Sequence, residues 1–405
     1  MKNLIVLSLL LFIPAGLFAE DIIIGMSAVF TGPSESLGIE LYRGSMAYLE
    51  HINRGGGVHG RKVMLKAYDD GYNPATAIAN TITLIEKDQA FVLFGYVGAP
   101  TVTRVLPLLK SYSDRSVSLL FPVTGAQPHR QKPYSDQVFN LRASYWEETE
   151  GLIDNFVSLG RSKIGVFYQA DAYGRSGWDG VRRALAKSGG LKIIAEATYR
   201  RNVGSDEKFD EQVKLLKTAN ADAVISIGTY TASAAFIRDA RETEWQIPIA
   251  NVSLVGSRSL AALLSQSSRS RGKDYTQNLI ISQVVPSYED TSLNSVRDYR
   301  DLMEKYRPVA PSVAVKNYRS HPHSFIGFEG FLNAKLLVEI LRRMGDKPVR
   351  TKLRQTVESI KNLDLGIDAP ISFGPDKHQG LERVYYTTLQ GGEIVPLTSW
   401  QQWKK

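Results

Sequence analysis

The chain has 405 residues, of which 43% are hydrophobic and 22% charged, with a formal net charge of +8 and no cysteine. That is the composition of a globular protein long enough for two domains. The absence of thiols excludes a disulfide framework, a thiolate metal site and a lipid-bearing cysteine.

Residues 1–19 read as a cleaved signal peptide. Lys2 supplies a positive start, Leu4 to Phe12 is apolar except for Ser8, Pro14 and Gly16 break the run, and Ala19 marks the cleavage edge. The run is too short for a permanent membrane anchor. Export follows, and the periplasm of a Gram-negative envelope is the expected location.

The mature chain opens with the apolar, β-branched strand Ile22–Ser27. A Gly/Pro/Ser loop leads into a helix, in which Leu41, Tyr48, Leu49 and Ile52 recur at helical spacing. Gly55-Gly56-Gly57 ends that helix and turns into a strand at Lys62–Tyr68. The pattern predicts helices at Pro74–Lys87 and Thr101–Tyr112, with strands at Ala90–Gly95 and Val117–Phe121. Such a β–loop–α series implies a parallel sheet covered on both faces, with ligands at the loops after the strands.

A second series follows Asn140. Helices are expected at Glu147–Leu159, Gly177–Ser188, Phe209–Ala219 and Ala232–Glu242, and strands at Lys163–Tyr168, Ile193–Ala197, Ala223–Ile227 and Ile247–Asn251. The fold class is therefore α/β, with two Rossmann-like lobes. Crossings near Asn140–Ala143, Val284–Ser287 and Pro370–Phe373 make a hinge with an interlobe cleft. The late helix Gly327–Met344 is assigned to the first lobe. The expected division is residues 21–142 plus 287–369 for the N-terminal lobe, and 143–286 plus 370–405 for the C-terminal lobe.

Several strings carry a family resemblance in order and spacing: IIIGMSAVFTGP, HINRGGGVHGRKVMLKAYDD, FGYVGAPT, DAYGRSGW and FEGFLNAKLLVEILRR. Over essentially the whole mature chain, the sequence resembles type I periplasmic solute-binding proteins of ABC importers, the leucine/isoleucine/valine-binding type. The resemblance implies a two-lobed receptor that closes around one small molecule and performs no chemistry. It also implies that the turns holding Ala99, Thr101, Val123, Thr124 and Gly125 grip a ligand carboxylate. Helix N-termini favour anions for physical reasons, although the same turns could serve only to link strand and helix. Tyr173, Tyr230 and Phe325 match aromatic positions that line the pocket in the family.

The chain departs from the family pattern at two positions. Ser253 stands where amino-acid receptors place an acid to balance the ligand's ammonium group, and a neutral serine cannot offset a buried cation. Leu37 replaces an aromatic in the first loop. An uncharged, acidic or mainly apolar solute is then expected, such as an aromatic or aliphatic carboxylate or a lipid. An acid elsewhere, such as Glu35 or Glu147, would restore amino-acid binding.

Enzyme readings find little support. The Gly55–Gly60 run follows a helix and precedes a strand, the wrong order for a nucleotide loop. Ser176 lacks the setting of a nucleophile elbow, and Pro322 between His321 and His323 gives a metal site poor geometry. Asp69 and Asp70, adjacent on a strand, point to opposite faces and are expected to fix the neighbouring turn. No cofactor and no nucleic acid are implied. The expected partners are a small-molecule ligand and the permease of an ABC importer or another envelope transporter, with the receptor a monomer. A sensor-type receptor serving a separate membrane partner is the alternative.

Overall fold

The computed structural model describes residues 20–405; the expected leader, residues 1–19, lies outside them. The first series comprises β1 (Ile22–Ala28), α1 (Glu35–Arg54), β2 (Val63–Asp69), α2 (Pro74–Glu86), β3 (Val92–Phe94), α3 (Ala99–Ser111), β4 (Leu119–Leu120) and β5 (Val138–Phe139). Its strands form a parallel sheet in the order β2-β1-β3-β4-β5.

The second series runs through α4 (Tyr145–Ser158), β6 (Ile164–Gln169), α5 (Ala172–Lys187), β7 (Ala195–Tyr199), α6 (Asp210–Thr218), β8 (Ala223–Ile227), α7 (Tyr230–Glu242), β9 (Ile249–Asn251), α8 (Ser257–Arg271) and β10 (Leu279–Gln283). Then come α9 (Asn294–Tyr306), α10 (Phe325–Arg343), α11 (Arg350–Glu358), β11 (Tyr385–Gln390) and β12 (Glu393–Pro396). The second sheet is ordered β12-β11-β10-β9-β8-β6-β7, with β11 alone running against its neighbours β10 and β12. The two parallel-sheet lobes of the α/β reading are thus present.

Several boundaries differ from the sequence pattern for identifiable reasons. α5 begins five residues before the expected Gly177, because the Asp171 side chain accepts the Tyr173 N–H at 3.0 Å and caps it there. α4 begins at Tyr145 under a capping box, in which Ser144 and Glu147 satisfy each other's backbone N–H groups. The two-residue strand β5 carries too little pattern to be read from sequence.

α10 packs across α1 in the first lobe at unusually short range, and glycines permit it. A Cβ on Gly44 would lie 1.8 Å from the Gly327 carbonyl oxygen, and one on Gly330 would lie 2.2 Å from that of Leu41. Ser45 Oγ donates to the Gly330 carbonyl at 3.0 Å, joining the two backbones. The chain's crossings run side by side: Asn140 N–H donates to His378 O at 2.8 Å, and Leu381 N–H to Leu141 O at 2.8 Å. This pairing falls on His378–Leu381, beyond the expected Pro370–Phe373. That earlier stretch stays with the first lobe's elements, where Ile371 pairs with Leu363 and the Phe373 ring meets Phe139 at 6.0 Å.

Candidate functional site

The turns after β3 and β4 lie against each other. Gly98 N–H donates to Val123 O at 3.1 Å, and Val123 N–H donates to Tyr96 O at 2.7 Å. Gly98, at φ +93°, is the N-cap of α3, so that helix presents its first-turn N–H groups at this edge. Ala99, Thr101, Val123, Thr124 and Gly125 are all buried here. The Thr101 hydroxyl is engaged locally, donating to Val97 O at 2.6 Å and reaching Gly98 O at 2.9 Å. Its single proton is therefore spent within the helix, and the hydroxyl offers only lone pairs. Thr124 Oγ1 accepts from Ala126 N–H at 3.2 Å.

Tyr173 enters from the second lobe in the first turn of α5. It is fully buried, its hydroxyl donates to Gly228 O at 3.2 Å, and its ring lies 5.3 Å from that of Tyr145. Gly125 packs against Tyr145, since a Cβ there would stand 2.5 Å from the ring. These contacts bring the β4 turn of one lobe to the aromatic pair of the other.

Tyr230 opens α7 and accepts a hydrogen bond from Ser36 N–H at 3.3 Å. Leu37 and Tyr230 both converge on Gly256. Phe325, the first residue of α10, packs edge-on against Tyr288 at 4.9 Å rather than against the Tyr145–Tyr173 pair. Leu37, Gly256 and Phe325 enclose a space of about 10 Å³, no more than one water requires. Further contacts tie the lobes together: Ser36 Oγ to Ser259 Oγ at 2.7 Å, Gln127 N–H to Ser176 Oγ at 3.3 Å, and Asn202 Nδ2 to Gly71 O at 3.2 Å. The lobes are closed on each other.

Ser253 follows β9, where its hydroxyl and backbone N–H both donate to Glu148, at 2.9 and 2.7 Å. Ser282 adds a third donor to the same carboxylate at 2.6 Å. Arg142, on the crossing segment, donates to Ser253 Oγ and lies 3.6 Å from Glu148 and 3.5 Å from Glu329. Arg142, Glu148 and Glu329 are all buried. Burial opposes charge on both Arg142 and Glu329: it raises the Glu329 carboxyl, whereas the two carboxylates outweigh it at Arg142 and hold the guanidinium protonated. Glu147, by contrast, serves the α4 capping box and takes Gln379 Nε2 at 3.1 Å. Glu35 is only partly buried, and its carboxyl is raised first by burial and then by Asp69.

Asp69 and Asp70 fix the turn after β2. Asp69 accepts from the N–H groups of Phe30 and Gly71, and Asp70 accepts from Ser27 Oγ and Tyr72 N–H, each at 2.8 to 3.0 Å. His321 hydrogen-bonds Ser259 Oγ at 3.1 Å, and among the described residues no group of three His, Asp or Glu could hold a metal ion. Sequence reasoning overlooked Tyr72, Arg142, Tyr145 and Glu148. Only Tyr72 had a local signal, the Asp-Asp-Gly turn that precedes it.

A family model described as "Periplasmic binding protein" matches residues 21–393. An amino acid binding protein of Pseudomonas aeruginosa is 24% identical over 225 residues, covering 55% of this chain and 58% of the relative. A Leu/Ile/Val-binding protein homolog of Brucella melitensis is 29% identical over 213 residues, covering 52% and 55%. The chain thus spans little more than half the length of these curated relatives. The crystal structure of a possible leucine/isoleucine/valine-binding protein from Rhodopirellula baltica superposes with a TM-score of 0.83 at 28% identity, covering 95% of this chain and 98% of that one.

Proposed function

The chain belongs to the periplasmic binding protein family, in its type I, Leu/Ile/Val-binding-like branch, a group of solute-binding proteins rather than enzymes; from that premise we propose that it captures one small organic solute, amino-acid-like or a carboxylate, between its lobes. The loaded, closed form is then delivered to a membrane transporter, the permease of an ABC importer. We take the lobes as residues 21–142 with 287–377 and residues 143–286 with 378–405, the last boundary moved from the expected residue 370 to the crossing at His378. The signal-peptide-like residues 1–19 support a periplasmic location, and a single chain suffices for the mechanism.

The observation that supports this reading is the meeting of the β4 turn with Tyr145 and Tyr173 in the interior between the lobes. Aromatic rings there give rigid walls with polar tips, and the α3 N-terminus supplies a positive edge. A ligand touching both lobes binds only the closed state tightly and so shifts the population toward it.

The test is a thermal-shift screen of refolded, ligand-free protein against amino acids, aromatic and aliphatic carboxylates, amides, sugars and lipids, followed by small-angle scattering with each hit. A solute at about 100 times its Kd adds roughly 2.7 kcal/mol, and lobe closure should lower the radius of gyration. Tyr173→Ala should weaken binding of any hit at least tenfold. Saturable binding without closure, or consumption of the solute, would overturn the reading.

A further inference from the structure

Tyr72 sits where the two gripping turns meet. Its N–H is held by Asp70 at 2.9 Å, and its backbone adopts φ +60°, a left-handed conformation costly for an aromatic residue. This turn lays the ring over Gly98, the N-cap of α3, so closely that a Cβ on Gly98 would fall 2.1 Å from it. Tyr145 covers the neighbouring turn at Gly125, and Val97 and Val123 bridge the two turns. Both tyrosines are fully buried, and neither hydroxyl makes a well-formed hydrogen bond, although Gln169 lies beside that of Tyr72 and Thr124 beside that of Tyr145. Burial pushes the Tyr145 hydroxyl up to about 12 and the Tyr72 hydroxyl well above its ordinary value, so each stays protonated as a donor. An unpaired buried hydroxyl costs roughly 1–3 kcal/mol, and two of them on rings that cover the paired turns at Gly98 and Gly125 imply an acceptor that arrives from outside.

The acids nearby are already engaged. Glu148 takes three protein donors, and Asp171 takes the Tyr173 N–H, Gln169 Nε2 at 2.7 Å and Arg201 at 3.3 Å. Glu329 faces Arg142, and the partly buried Arg130 adds a second positive charge to this region. Each of these three carboxylates, Glu148, Asp171 and Glu329, is thus already matched by protein donors or a cation, and none is free beside the two tyrosines.

We infer that Tyr72 and Tyr145 are the hydroxyl donors that complete the solute's acid site, and that the solute is a carboxylate carrying no ammonium group. This rests on the solute-binding reading above and narrows its ligand class. A donor from the turn after β2 and one from the start of α4 would then serve one carboxylate, and charge-assisted bonds of that kind are the strong ones.

The test pairs each amino acid with its deaminated analogue, using calorimetry on refolded protein: leucine against 4-methylpentanoate, and phenylalanine against 3-phenylpropanoate. The deaminated acid should bind at least about tenfold tighter in a pair. Tyr72→Phe and Tyr145→Phe should each weaken that acid about tenfold while leaving the melting temperature of the free protein unchanged or higher, since each removes an unpaired hydroxyl. Tighter binding of an amino acid than of its analogue, or full affinity in both Phe variants, would overturn the assignment. So would failure of all four probes. Saturable binding of a sugar or amide with lobe closure would, in that case, leave the solute-binding reading intact.

Discussion

Ser253 presents both its hydroxyl and its backbone N–H to the carboxylate of Glu148, at 2.9 and 2.7 Å. The position at which the family resemblance led an acid to be expected therefore does have a carboxylate beside it, supplied by α4. That carboxylate is shared with Ser282 and stands 3.6 Å from Arg142, so it acts as an internal acceptor within a buried ionic cluster.

Removing Glu148 should be costly. Glu148→Ala would strand the Arg142 guanidinium beside a single carboxylate and leave Ser253 N–H without an acceptor. A loss of about 3–5 kcal/mol is expected, as for other broken buried pairs. Urea denaturation should show a lower midpoint at unchanged slope. A loss below about 1 kcal/mol would refute the structural role.

The α1–α10 contact predicts a contrast between two glycines. Gly44→Ala places a methyl group 1.8 Å from the Gly327 carbonyl, a backbone atom that cannot rotate aside, and should cost about 1–3 kcal/mol or more. Gly55→Ala, at φ −82° with its nearest contact at 3.4 Å, should change stability by no more than about 0.5 kcal/mol. Equal melting temperatures for the two variants would contradict the packing described.

Asp70 should make stability depend on pH. Burial raises its carboxyl from 3.8 to about 7, against the opposing hydrogen bonds from Ser27 and Tyr72. The folded state then holds a proton that the unfolded chain releases, so this contribution is complete below about pH 4 and is lost as the pH rises through about 7. Unfolding free energy should fall between about pH 4 and about pH 7, and Asp70→Asn should flatten that slope. Parallel pH profiles for the two proteins would refute it.

The segment from Arg307 to His323 is anchored by one buried side chain. Arg43 donates to Pro308 O and His321 O, each at 2.8 Å, and pairs with Glu40 at 2.7 Å. Arg43→Ala should therefore loosen this segment locally. Hydrogen exchange should accelerate there, with new proteolytic cuts between Pro308 and Pro322, while the strands of both sheets stay protected. Exchange unchanged in that segment would show that its other contacts, such as Tyr318 to Ser36, are sufficient.

Much of the fold was legible because it is written in local periodicity. The β-branched runs read at Ile22–Ser27 and Ala223–Ile227 and the helical spacing of α1 are properties of short stretches, and all three elements formed, although α1 begins at Glu35, six residues before the first apolar position of that spacing. Strand β11 was not legible, because its pairing with β10 depends on a segment more than a hundred residues earlier, and β12 pairs only with β11.

The sequence by itself determined the alternating α/β plan, the turns at Gly98 and Gly125, and the absence of an acid at Ser253. Tertiary structure alone decided which carboxylate approaches that serine. On α4, successive side chains point about 100° apart, so Glu147 faces its own helix cap and Gln379 while Glu148 faces Ser253. It likewise decided that Tyr72 would lie over Gly98, since that contact depends on a left-handed backbone turn and on two strands meeting in space. Periodicity reports which face of an element is buried, whereas the partner buried against it is set by how distant segments dock.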